Sequence, residues 1–483
     1  MSVLLASVLA LSGGDLPEWG GFRGTAGAAH SAGATIPASL DPETNLAWRV
    51  ELPAGFSSPV ISGERVFVTG TKGTHLFTVC LDRASGDELW RRSIEFDGKR
   101  PGANSAAAPS PVTDGETLVV MFHSIGMLGY DMRGQELWRI PMGPFSIPHG
   151  LAASPVIHGG AAFQCVDQDG ESFLISVDLK TGEELWRVAR PEATHGYATP
   201  ALYLPEGGPP ELVIAGSLEV AGYAASSGER LWWAKVGCWQ AKSMPVIEGN
   251  TAWVNSFMVG PSEAGLPKPT GTFEELLAER DTNGDGAINR EEWDHPGLQQ
   301  AWFVFDLADD DKLDSEDWDY LLMAARRNGG LYSITLGGRG DVTESHLRWT
   351  YDKRRGMSDV VTPVLVDGVL YTIKEGGIMT SLNADTGEVY EQERVGDSDR
   401  YFASPVAGGD RLVLAGLSGQ LSVVTAGQDW EPLSTVSLDE RVWATPAIAG
   451  DQVFVRSMDA LYCFAEPELE PEDSEGDSKE GER

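Results

Sequence analysis

Five residues of the stretch DTNGDGAINREE carry the clearest chemistry in this sequence: Asp281, Asn283, Asp285, Gly286 and Glu292, at positions 1, 3, 5, 6 and 12. A calcium ion takes about six to eight hard oxygen ligands in an adaptable cage. Asp281, Asn283 and Asp285 offer side-chain oxygens, and Ala287 offers its backbone carbonyl. Asn289 stands where a ligand reaches the ion through water, and Glu292 closes the cage with two oxygens. Gly286 supplies the sharp turn that a Cβ would resist. The preceding FEELLAER reads as an entering helix.

This spacing is that of an EF-hand loop, and a second, weaker one follows. Counted from Asp306, Asp310, Asp314 and Asp317 fall at positions 5, 9 and 12, and Lys312 would give the position-7 carbonyl. Ala308 offers no ligand at position 3, Asp311 replaces the turning Gly, and Asp317 is shorter than the usual closing Glu. Leu313 and Trp318 mirror Ile288 and Trp293, so the loops are expected to pair. Calcium is expected in the first loop, and metal in the second is left open.

A second constellation is His149, His195, Lys242, Arg355, Asp359, Arg400 and Arg441, each a few residues before a recurring Pro. If those segments share one end of a ring, these side chains converge on its mouth as an anion-binding or cofactor-like pocket. Signatures of catalysis are missing: the sequence has no Gly-x-Ser-x-Gly elbow, His-Glu-x-x-His helix or phosphate-binding Gly loop. Cys80, Cys165, Cys238 and Cys463 are far apart and have no zinc or haem spacing. No catalytic residue is assigned.

The elements that must position these groups follow from a repeat. Ser58-Pro59, Ser110-Pro111, Ser154-Pro155, Thr199-Pro200, Met244-Pro245, Thr362-Pro363, Ser404-Pro405 and Thr445-Pro446 each open a short apolar strand. The prolines lie 52, 44, 45, 45, 118, 42 and 41 residues apart, and the long interval holds the calcium loops. Each period reads as four strands, with a Gly-Glu turn before a Trp at Trp90, Trp138, Trp186, Trp232 and Trp349, and Tyr390 as a weaker counterpart. Four strands per period around a ring predict an all-β, eight-bladed β-propeller with a small α-helical insertion. The last period lacks its Trp strand, and Asn45–Val50, with Trp48, supplies it from the other end.

The repeat resembles the PQQ-like β-propeller family, which includes quinoprotein dehydrogenases and the propeller subunit of the outer-membrane β-barrel assembly machinery. Trp19-Gly20-Gly21-Phe22-Arg23-Gly24 also resembles the W-x-x-F-R-G segment that precedes the ring in exported bacterial members. The resemblance implies the fold and leaves function open between enzyme and scaffold. Quinoprotein dehydrogenases carry an adjacent-cysteine disulfide and a calcium beside the quinone. This chain has no adjacent cysteines, which argues against PQQ as its cofactor.

The expected layout is a leader at 1–16, blades 1–5 over 17–260, an insertion at 261–328, blades 5–8 over 329–465 and an acidic, unstructured tail at 466–483. Residues 1–11, MSVLLASVLAL, resemble the apolar part of a signal peptide without its basic start, giving an expectation of a periplasmic or other extracytoplasmic protein. No cysteine precedes Cys80, so lipid anchoring through an N-terminal cysteine is not expected. A formal charge of -36 would repel nucleic acid and anionic lipid. The sequence therefore favours a calcium-binding scaffold whose partner is another protein or an envelope component. A quinone-dependent dehydrogenase and a polysaccharide-binding module are the alternatives.

Overall fold

The computed structural model describes residues 18–258, 269–293, 299, 302–307, 310–326 and 329–466. The leader, most of the tail, Ala308 and the first residues of the insertion lie outside them. Among the described residues eight sheets form the ring, each with four antiparallel strands, and those of blades 4 and 7 gain a short parallel fifth strand. Blade 1 runs from Val60–Ser62 through Arg65–Lys72 and His75–Asp82 to Glu88–Glu95. Blades 2 to 8 repeat this order, innermost strand first.

Burial explains the sequence pattern. Middle strands such as Ala161–Val166 are buried at every position, because a neighbouring blade covers each face of the sheet. Outer strands such as Glu184–Ala189 alternate between exposed and half-buried residues. The apolar core is accordingly inter-blade: Val60, Phe67 and Cys80 of blade 1 pack with Leu118, Val120 and Leu128 of blade 2. Each fully buried aliphatic side chain there contributes about 1.5–3 kcal/mol.

The residue before each recurring Pro joins neighbouring blades. The Ser58 N–H donates to Ser110 Oγ at 2.9 Å, Ser110 to Ser154 Oγ at 2.9 Å, and Ser154 to Thr199 Oγ1 at 3.0 Å. Met244, Thr362 and Ser404 likewise donate to the hydroxyls of Thr362, Ser404 and Thr445, each at 3.0 Å. Met244 has no hydroxyl, so this girdle is interrupted at blade 5. At the seam of blades 8 and 1, buried Arg456 donates to the Pro53 and Ser57 carbonyls. Since Ser58 and Ser110 are both buried, Ser110→Ala should strand the Ser58 N–H. We expect a loss of about 1–3 kcal/mol in urea unfolding, largely restored in Ser110→Thr.

The Trp residues lock adjacent blades from outside. Trp48, Trp90, Trp138, Trp186 and Trp349 each lie against a turn glycine of the next blade: Gly86, Gly134, Gly182, Gly228 and Gly387. Their indole N–H groups donate to carbonyls of the same turns, as Trp90 does to Met132 at 3.1 Å. At Gly86, with φ +77°, a Cβ would come within 2.7 Å of the Trp48 ring. Trp232 departs from the expected docking. It donates to Glu211 Oε2 at 2.8 Å inside its own blade, and Gly340–Asp341 instead lie parallel along the outer strand of blade 4.

Strand Leu46–Glu51 pairs antiparallel with Ala460–Phe464 and completes blade 8, with Trp48 opposite Cys463. The segment before it crosses the axis of the ring. Trp19 bridges Ile61 of blade 1, and the Gly20 carbonyl accepts from Thr113 of blade 2. Arg23, fully buried, donates to the carbonyls of Thr362, Pro363 and Pro405 at the entries to blades 6 and 7. His30–Ser31 then pairs parallel with the inner strand of blade 7. This is where the W-x-x-F-R-G residues act: they tie opposite sides of the ring together through its centre.

Candidate functional site at the inserted loops and the channel mouth

The insertion leaves blade 5 after Thr251–Phe257 and returns at Gly329–Thr335, between the second and third strands. Helix Phe273–Arg280 opens with a capping box: Thr272 accepts from the Glu275 N–H while the Glu275 carboxylate accepts from the Thr272 N–H. It delivers Asp281 to the loop. Asp281 accepts from the Gly284 and Gly286 N–H groups at 2.6 and 3.0 Å, and Gly286 has φ +82°. Glu292 Oε1 folds back onto the Thr282 and Asn283 N–H groups and its Oε2 onto Asn289. Asp285 accepts from Ala287 and from Lys312 Nζ at 3.1 Å. These N–H groups hold the Asp285 and Glu292 carboxyls below the ordinary carboxylate range, led by Ala287 and Asn289.

The second loop lies opposite. Ile288 pairs with Leu313 and Asn289 with Lys312 in a two-stranded ladder, and the rings of Trp293 and Trp318 are 5.8 Å apart. Asp306 is buried, accepting from Asp310, Asp311 and the Trp302 indole. Asp314 accepts from the Glu316 and Asp317 N–H groups. Asp317, also buried, accepts from Leu307 and Asp314, and burial pushes its carboxyl up to about 6. Asp310 accepts from Lys312, and Asp311 takes the positive φ, +62°, where the pattern wants Gly. Among the described residues no three His, Cys, Asp or Glu side chains converge as a metal cluster. The first loop still fits calcium by its donor chemistry: accessible carboxylates, an amide oxygen and a left-handed Gly at the turn. The second loop has two buried carboxylates already engaged by N–H groups.

At the mouth, the structure gathers part of the predicted set. His195 is buried with Nδ1 2.5 Å from Asp169, and its ring meets Trp239 edge-on at 5.6 Å and Tyr197 at 6.4 Å. His149 stacks on Tyr197 at 6.0 Å. Surrounding protein, then Lys242 and His195, hold the His149 imidazole below its ordinary range. Lys242 pairs with Asp359 at 3.2 Å, across the entries to blades 5 and 6. The other three do not join this group. Arg400 pairs with Glu375 at 3.3 Å and lies over Phe402, which stacks on Trp443 and through it on Phe56. Arg355 sits exposed in the turn Arg354–Gly356, and the Arg441 carbonyl accepts from Met458. Of the seven, His149, His195, Lys242 and Asp359 are thus brought near one another, and the three arginines make their contacts elsewhere.

Sequence reasoning missed Asp169, Tyr197 and Trp239. For Tyr197 a signal existed, since Phe56, Phe402 and Trp443 share its place two residues before the girdle position. All four cysteines are buried free thiols.

Residues 31–201 match a protein-family model described as outer membrane protein assembly factor BamB. A curated protein of that description from Burkholderia pseudomallei (strain K96243) is 23% identical over 370 residues, covering 74% of this chain and 81% of the relative. Among solved structures, BamB from Moraxella catarrhalis aligns with a TM-score of 0.55 at 12% identity, covering 88% of this chain and all of that one. A europium-containing methanol dehydrogenase aligns with a TM-score of 0.60 at 10% identity, covering 93% and 98%. The PQQ-like propeller resemblance and the eight-bladed fold are borne out.

Proposed function

We propose that this PQQ-like propeller is a binding or assembly scaffold of the bacterial envelope, working on the periplasmic side of the outer membrane, with calcium held in its first inserted loop. The observation that carries the scaffold reading is the relation to a protein named as an outer-membrane assembly factor, extending over 74% of this chain. The ring itself agrees with it. Its centre is crossed by residues 19–31, with the Arg23 guanidinium buried at the entries to blades 6 and 7, so the outer surfaces and linkers are what the fold offers a partner. The acidic surface that disfavours nucleic acid suits a protein partner. No helix among the described residues is long and apolar enough to cross a membrane.

Calcium would be held by Asp281, Asn283, Asp285, the Ala287 carbonyl, Asn289 through water, and Glu292. It would supply charge neutralisation and hold the loop in a fixed relation to helix Phe273–Arg280.

In-cell crosslinking followed by purification of the intact chain tests the scaffold reading. The expected product is a crosslink to a component of outer-membrane β-barrel assembly. Recovery of no envelope protein, together with tight PQQ uptake and dye-linked alcohol oxidation, would replace it with the dehydrogenase reading.

A further inference from the structure

The insertion is expected from sequence to protrude from blade 5 as a dispensable appendage. Its apolar core is nevertheless shared with the ring. Leu276, Ile288, Trp302, Leu313, Trp318 and Leu321 of the insertion form one buried cluster with Leu218 and Trp239 of the ring. Leu218 is held at φ +60° at the turn between the middle strands of blade 4, and its N–H donates to the Cys238 carbonyl. Trp239 belongs to the segment leading into blade 5.

A polar contact lies beside this apolar one. Tyr320, on helix Ser315–Arg326, is buried and places its hydroxyl 3.1 Å from Thr194 Oγ1 and 3.3 Å from the Trp239 carbonyl. Thr194 is bound in turn to Ser217, and its neighbour His195 rests edge-on against Trp239. Tyr320 stands three residues after Asp317, which closes the second loop and sits in the first turn of the same helix. The second loop is paired to the first through Ile288 and Leu313. One continuous set of packed groups therefore runs from the calcium loops to the linkers that carry His195 and Lys242.

We propose that the insertion is a clamp on the linkers entering blades 4 and 5, and that calcium in its first loop orders residues 193–197 and 237–241 through Tyr320 and Trp239. The proposal deepens the calcium reading and rests on it. Coupling follows because fixing the loop and its paired helix removes freedom that the Tyr320 and Trp239 contacts would otherwise have to restrict, so each event makes the other cheaper.

Hydrogen exchange read by mass spectrometry on the full chain, chelator-treated or with calcium chloride, tests it. In the wild type, calcium should slow exchange at 281–292 and also, by about five-fold or more, at 193–197 and 237–241. Tyr320→Phe and Trp239→Leu should keep the protection at 281–292 and lose most of it at the linkers. Protection of the loop with unchanged linkers in the wild type overturns the clamp and leaves calcium binding standing. Linker protection undiminished in both variants also overturns it. Protection nowhere removes the calcium reading and the clamp with it.

Discussion

A chain shortened to begin at Leu52 should show no cooperative unfolding transition. The loss is larger than a missing edge strand. Leu46–Glu51 supplies the fourth strand of blade 8, and its Trp48 ring closes the seam against Gly86 of blade 1. Removing the preceding segment takes away buried Trp19 and the Arg23 bonds to blades 6 and 7. Losing a buried Trp costs about 3–5 kcal/mol, so the two together approach the whole stability of about 5–15 kcal/mol that a folded protein has to spare. Urea titration followed by Trp fluorescence checks this. A sigmoidal transition with the wild-type midpoint would show that the ring closes without its N-terminal strand.

Glu292→Gln should lower calcium affinity at least about tenfold, equivalent to roughly 1.4 kcal/mol, whereas Asp317→Asn should change it little. A neutral amide at position 12 loses the charge and one of two ligand oxygens. Glu292 is only half-buried and its carboxylate is favoured in charged form by the loop N–H groups. Asp317 is buried, already accepts from Leu307 and Asp314, and closes a loop whose position 3 is alanine. Calorimetric titration of both variants decides: unchanged binding in Glu292→Gln, or complete loss in Asp317→Asn alone, would reverse the assignment.

The ring was readable because its signals are local and repeated. Ser/Thr-Pro before an apolar run, and Gly-Glu before Trp, recur often enough to give eight blades and to identify Trp48 as the missing strand. The reason for the Ser or Thr was not readable. Its hydroxyl serves an N–H about one blade earlier, a partner set by curvature and not by neighbours in sequence. Trp232 kept the motif yet turned inward, because residues 340–341 occupy the edge of its blade. The Ile288 and Leu313 pair was legible from the internal likeness of the two loops. The docking of that module on Leu218 and Trp239 was not, since neither residue carries a pattern that marks it as a contact. The mouth residues were half legible: proximity to a blade entry put His149, His195, Lys242 and Asp359 on one face, but nothing local tells which way an arginine leaves its linker.

The crossing segment and the closing strand impose an order on the birth of the molecule. Residues 18–51 are made before the ring, yet their partners at Thr362, Pro405, Ala407 and Ala460–Phe464 lie in its last three blades. Until those blades are made the Arg23 guanidinium lacks its carbonyl acceptors, and the edge of Ala460–Phe464 does not yet exist to receive the strand Leu46–Glu51. Seven blades are built from strands that follow one another along the chain, but the eighth joins strands from both ends of the ring. That joining brings together residues more than 400 positions apart, and its loop-closure entropy falls due only once blade 8 is present. A factor that keeps residues 18–51 from pairing wrongly would therefore have to act until blade 8 is present.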